Sequence, residues 1–98
     1  MEIQKARSGS TLTFTVIGRL DTTTAPQFET ELKSSLEGVN EFDIDLNAVD
    51  YVSSAGLRVV LLAQKMMNKQ GSMVVKNVRP EVLEVFEMTG FTSILNIK

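Results

Sequence analysis

Two stretches of the chain have residue types and spacing that could do chemistry: Gly18-Arg19-Leu20-Asp21, which runs into three threonines, and Ser53-Ser54-Ala55-Gly56, which follows Asp50-Tyr51-Val52. A serine at the start of a helix has two uses. Its hydroxyl can cap, accepting a hydrogen bond from an amide of the first turn, which is worth about 1 kcal/mol. It can also carry a phosphate, because free amides and the positive end of the helix dipole stabilise a dianion there. Such a phosphate stiffens the helix, so its regulatory effect comes from charge and bulk placed in an interface, where an unpaired dianion against an acidic or apolar surface is costly. On residue pattern alone, capping is the simpler reading of Ser53 and Ser54.

Other chemistries fall away. The 98 residues contain no histidine and no cysteine, which excludes imidazole-activated nucleophiles, Cys/His zinc sites, thiol redox and disulfides. Ser53-Ser54-Ala55-Gly56 does not match the Gly-x-Ser-x-Gly elbow of hydrolases, and a Ser-Lys dyad survives in form only. Asp21, Asp43, Asp45 and Asp50 are numerous enough to raise a magnesium cage, yet Asp43 and Asp45 share the non-apolar face of a strand, where solvated or capping carboxylates suffice. Gly18 and Gly56 do not form a phosphate-cradling loop. The residues imply no cofactor and no metal.

The elements that must position these stretches follow from periodicity. Ile3 marks an opening edge strand, Ser8-Gly9-Ser10 a turn, and Thr11 to Ile17 a strand with Leu12, Phe14 and Val16 on one face, closed by Gly18. Thr24 and Gln27 have capping-box spacing around Pro26, and Ala25, Phe28, Leu32 and Leu36 predict a helix that Gly38 stops. Phe42, Ile44 and Leu46 predict a short strand ending at Asn47, with a loop from Asn47 to Ser53. A helix from Ser54 to Gln70 follows, its main face Val59, Val60, Ala63, Met66 and Met67, with Leu57, Leu61 and Leu62 widening the apolar surface. Gly71 ends it, Met73 to Val75 is a strand, and Pro80 opens a last helix with Val82, Leu83 and Phe86 inward, ending near Gly90. Phe91 to Ile97 is a closing tail strand. The order β-β-α-β-α-β-α plus tail implies right-handed crossovers and a largely parallel sheet with helices against it.

Ten Lys+Arg against twelve Asp+Glu give a net charge of −2, which favours protein partners over nucleic acid or anionic lipid. No segment has the length of a membrane span, and Met1 to Arg7 lacks the apolar stretch of a signal peptide, so a cytoplasmic protein without direct membrane insertion is expected. On the long helix, Ser54, Arg58, Leu61 and Lys65 fall on one side with Leu62 and Lys69 beside them. That side is either an ordinary solvated face or a docking surface for an acidic partner.

Gly18-Arg19-Leu20-Asp21-Thr22-Thr23-Thr24-Ala25-Pro26, Val49-Asp50-Tyr51-Val52-Ser53-Ser54-Ala55-Gly56-Leu57-Arg58-Val59-Val60-Leu61 and Val85-Phe86-Glu87-Met88-Thr89-Gly90-Phe91 together resemble, in order and spacing, the bacterial anti-sigma factor antagonist family, the STAS domain. The resemblance covers nearly the whole chain. It implies an α/β fold, with a single STAS-like domain over residues 1–98 built on a small, mixed, mostly parallel β-sheet with helices packed against it. It also implies a binding switch and no enzyme: the unmodified domain binds an anti-sigma factor with serine kinase activity and releases the sigma factor. Phosphorylation of one serine by that kinase breaks the complex, a serine phosphatase restores it, and ATP and magnesium belong to the kinase.

In the family's Asp-Ser-Ser-Gly pattern the acceptor is the first serine, which falls on Ser54. Here Ser53 stands where the aspartate would be and Ala55 where the second serine would be, so Ser53 is the runner-up. Asp21 matches the family's Gly-x-Leu-Asp element. The resemblance assigns partner binding to Asp21, Thr22, Ser53, Gly56, Leu57, Arg58, Leu61 and Leu62, with Gly56 permitting close approach by the kinase and the phosphate. It also admits a second reading, an accessory subunit of a membrane transport or lipid-trafficking complex in which Ser54 is structural or contacts that partner.

Overall fold

Apolar residues at every second position of three strands build one wall of the core. The computed structural model describes residues 1–98: β1 (Glu2–Ser8), β2 (Thr11–Leu20), α1 (Ala25–Ser35), β3 (Glu41–Val52), α2 (Ser54–Asn68), β4 (Ser72–Lys76), α3 (Pro80–Met88) and a 3-10 turn at Phe91–Ser93. The strands form one mixed sheet in the order β1-β2-β3-β4, with β1 antiparallel to β2 and the other two pairings parallel. Each parallel pairing needs a crossover, which α1 and α2 supply.

Leu12, Phe14 and Val16 of β2, Phe42, Ile44 and Leu46 of β3, and Met73 and Val75 of β4 are all buried, and they meet Phe28 and Leu32 of α1, Val60, Ala63 and Met67 of α2, and Val82 and Phe86 of α3 in a single cluster. Phe14 sits at its centre, edge-on to Phe42 at 5.0 Å and tilted against Phe28 at 6.2 Å. The alternate residues Thr11, Thr13, Thr15, Asp43, Asp45, Val74 and Lys76 face the other way, and none of them is buried. The expected single mixed, mostly parallel sheet with helices against it is therefore present.

Several elements differ from the sequence-based expectation. Strand β3 does not end at Asn47. After a register irregularity its second half pairs Ala48, Val49, Tyr51 and Val52 with Ile17, Gly18, Arg19 and Leu20, so there is no loop from Asn47 to Ser53 and β2 continues past Gly18 to Leu20. The bulge shifts the apolar period from two to three, which hides Val49 and Val52 from an alternation test. The capping box of Thr24 and Gln27 does not form, because Thr24 is already helical (φ −98°, ψ −19°) and its side chain makes no cap bond. The Asp21 carboxylate instead accepts from the Thr23 and Thr24 amides of the turn that precedes the helix. The tail is a 3-10 turn and then a single parallel bridge of Ile97 with Val75, with Leu95 buried beneath it. Met66 is half-buried and packs against the core as expected, whereas Leu83 is half-buried and is not among the residues packed on it.

Candidate functional site

The carboxyl ends of β2 and β3 lie side by side, as expected where strands of a parallel sheet hand over to helices. Arg19 pairs with Tyr51 and Leu20 with Val52. The Ser53 amide donates to the Leu20 carbonyl at 2.9 Å, which ties the start of α2 to the end of β2. Gly56 lies against that same carbonyl: a Cβ at this position would stand 2.5 Å from Leu20 O and 2.8 Å from Leu20 Cγ. Only a residue without a side chain lets the first turn of α2 seat there.

Asp21 organises the neighbouring turn. Its Oδ1 accepts from the Thr23 amide at 3.0 Å, the Thr23 hydroxyl at 2.7 Å and the Thr24 amide at 3.1 Å. Its backbone carbonyl accepts from the Ala25 amide at 2.8 Å. Thr24 locks the turn from the other side, accepting from the Asp21 amide at 2.9 Å and donating to the Arg19 carbonyl at 2.8 Å. The Thr23 hydroxyl, followed by the turn amides, holds the Asp21 carboxyl down at about 2 despite some opposing desolvation. Oδ2 remains on the open side, 3.4 Å from Arg19 Nε. The Arg19 guanidinium lies 4.2 Å from the centre of the exposed Tyr51 ring.

The two serines have different surroundings. Ser53 is half-buried in extended geometry (φ −88°, ψ 175°), and its Oγ accepts from the Gly56 amide at 3.3 Å. Ser54 is exposed, opens the helix, and its hydroxyl has no hydrogen-bond partner. Arg58 follows one turn later, also exposed. Between the first turns of α1 and α2 lies an open cleft of about 350 Å³, walled by Thr22, Ala25, Pro26, Ala55, Arg58 and Val59 among others.

Of the residues singled out from the sequence, the fold brings Asp21, Thr22, Ser53, Ser54 and Arg58 to one end of the sheet. Leu61 and Leu62 lie half-buried further along α2. Gly56 and Leu57 are buried. Leu57 belongs to the core and presents no side chain to a partner, and Gly56 serves the close approach of Leu20, a contact inside the fold. Asp43 is engaged by Lys76 at 2.8 Å, and Asp45 by the Asn47 amide at 2.9 Å and Asn77 Nδ2 at 3.1 Å. Sequence reasoning missed the stacked Arg19 and Tyr51. Extending the β3 strand through the bulge would have placed them opposite each other.

The STAS domain model matches residues 2–98. Among curated proteins, the "putative anti-sigma factor antagonist BtrV" of Bordetella bronchiseptica is 43% identical over 82 residues, spanning 82% of this chain and 71% of that protein. The anti-sigma-B factor antagonist of Bacillus subtilis is 31% identical over 83 residues, 84% of this chain and 76% of the relative. Among solved structures, the Bacillus cell fate determinant SpoIIAA in its phosphorylated form superposes with a TM-score of 0.76 at 17% identity, covering 99% of this chain and 91% of that one. With a family model matched almost end to end and relatives above 30% identity, the chain belongs to the STAS domain family.

Proposed function

We propose that this protein is an anti-sigma factor antagonist acting in the cytoplasm as a phosphorylation-controlled switch, with Ser54 as the acceptor. The observation that carries the choice of serine is the free, exposed Ser54 hydroxyl beside a Ser53 hydroxyl already engaged in capping. The unmodified surface around Ser54, Asp21, Thr22 and Arg58 binds an anti-sigma factor that is also a serine kinase, and the bound sigma factor is released.

In the transfer, Ser54 Oγ attacks the γ-phosphorus of the kinase's ATP, a new O–P bond forms, and the bond to the β-phosphate oxygen breaks to give ADP. The serine proton goes to a base of the kinase. Asp21 is unsuited to that task, since a carboxylate with a pKa of about 2, its Oδ1 filled by donors, is a poor proton acceptor. Its open Oδ2 with Arg19 instead offers the partner a charged contact.

The phosphate then sits at the amino end of α2, a helix with no acidic residue in its first turn, where amides and dipole accommodate it. The fold tolerates it and the interface does not. A serine phosphatase reverses the change by hydrolysing the phosphoserine O–P bond.

Names of the 43% and 31% identical relatives favour this reading over that of a transporter subunit, and SpoIIAA, which shares the fold, has a phosphorylated form. The test is a set of three variants incubated with the cognate kinase and ATP. Ser54→Ala is expected to bind and accept no phosphate, Ser53→Ala to bind and accept it, and Ser54→Glu to lose binding. Phosphate transfer to Ser54→Ala at the unsubstituted rate would refute the assignment.

A further inference from the structure

Charge is unevenly spread along this chain. From Tyr51 to Pro80 there are five cations, Arg58, Lys65, Lys69, Lys76 and Arg79, and not one Asp or Glu, in a protein whose net charge is −2. Lys76 pairs with Asp43 and Arg79 with Glu81, whereas Arg58, Lys65 and Lys69 are exposed and take part in no ion pair. All three lie on α2 or its C-cap, following Ser54 along the outward side of the helix for about 22 Å at 1.5 Å per residue.

Leu61 and Leu62, half-buried, sit among these cations. With Arg58, Lys65 and Glu29 of α1 they wall a hollow of about 250 Å³. Glu29 is the one carboxylate in that hollow, and it is paired with Lys33 at 2.8 Å. A second copy of the chain laid on the same face would oppose cation to cation, which costs free energy. A surface of free cations around two leucines instead complements acidic groups interleaved with apolar ones.

We propose that the outward face of α2, from Arg58 to Lys69, docks an acidic amphipathic segment of the partner protein, its carboxylates meeting Arg58, Lys65 and Lys69 and its apolar side chains meeting Leu61 and Leu62. The inference rests on the switch reading above and extends it from the acceptor serine to the kind of surface recognised. It also gives the phosphate a mechanism of release: a dianion on Ser54 stands at the head of the cationic row and repels the acidic segment where it begins.

The test uses the full chain and the serine-kinase anti-sigma factor that phosphorylates it, with binding followed between 50 and 300 mM salt. Lys65→Glu/Lys69→Glu is expected to keep its circular dichroism spectrum and its Ser54 phosphorylation at saturating kinase. It should weaken the complex about tenfold or more, chiefly through slower association, with a flatter salt dependence. Lys98→Glu, which makes the same change of sign outside α2, should stay within about twofold. A double variant that binds within twofold, with unaltered salt dependence, while Ser54 is still phosphorylated, would overturn this inference alone. No complex with the unsubstituted chain would overturn the switch reading and this inference together. Co-sedimentation of the chain with phosphatidylglycerol vesicles, lost in the double variant, would assign the face to lipid and overturn the protein assignment.

Discussion

Gly56→Ala separates two arguments of opposite sign. Gly56 is in the first turn of α2, and helix propensity alone makes alanine better there by about 1 kcal/mol. Packing opposes it. The added Cβ would lie 2.5 Å from the Leu20 carbonyl oxygen, so helix and strand must part by about 0.8 Å to reach an ordinary carbon–oxygen contact near 3.3 Å. The oxygen that must give way is the one that accepts the Ser53 amide at 2.9 Å. Overpacking costs about 1–3 kcal/mol and a weakened hydrogen bond about 0.5–1.5 kcal/mol, against the 1 kcal/mol gained. The net expectation is a loss of about 1–3 kcal/mol, a fall in Tm of roughly 5–20 °C for a domain of this size. Urea and thermal unfolding read the stability, and the rate of phosphate transfer to Ser54 reads the displaced serine. An alanine variant as stable as the unsubstituted protein, or more so, would show that helix propensity governs this position and would refute the packing argument.

Ser53→Ala should cost about 1 kcal/mol through the lost cap, while Ser54→Ala should leave Tm nearly unchanged, since its hydroxyl bonds to nothing in the fold. Phe14→Ala, emptying the centre of the aromatic cluster, should cost about 3–5 kcal/mol in urea unfolding with little change in m-value. The depressed Asp21 carboxyl makes a contribution to stability that is complete above its ordinary pKa of 3.8 and is lost as pH falls through about 2, because protonation then favours the unfolded chain. The urea midpoint of the unsubstituted protein should therefore fall more steeply between pH 4 and pH 2 than that of Asp21→Asn, and parallel curves would contradict the hydrogen-bonding account of the turn.

Much of this architecture was legible because local pattern and tertiary burial agree. Phe14, Ile44 and Val75 alternate in sequence and are buried, and Ala63 and Met67 recur at helical spacing and pack inward. The pattern failed where geometry breaks period. The bulge in β3 puts Val49 and Val52 out of phase, so the alternation test predicts a loop where the strand continues. The Asp21 turn departs from pattern for another reason: Thr24 two residues before Pro26 fits a capping motif, yet its hydroxyl turns back to the Asp21 amide and the Arg19 carbonyl while the Asp21 carboxylate takes the amides of Thr23 and Thr24. Within the site, Ser53 and Ser54 are indistinguishable by type, and the structure separates them by the capping bond of Ser53 to Gly56 and by the exposure of Ser54. The resemblance assigns Leu57 to docking, but it lies on the wide apolar arc of α2 and the core reaches far enough around the helix to cover it.

In the proposed switch, a phosphate on Ser54 decides whether the partner is bound. Its most direct test is intact-protein and peptide mass spectrometry of the chain after reaction with its kinase and ATP, with the affinity of each resolved form for that kinase measured in parallel. The switch predicts one phosphate, on Ser54, with tight binding by the unmodified form and loss of binding by the modified one. Phosphate on Ser53, or equal affinity of the two forms, would contradict it.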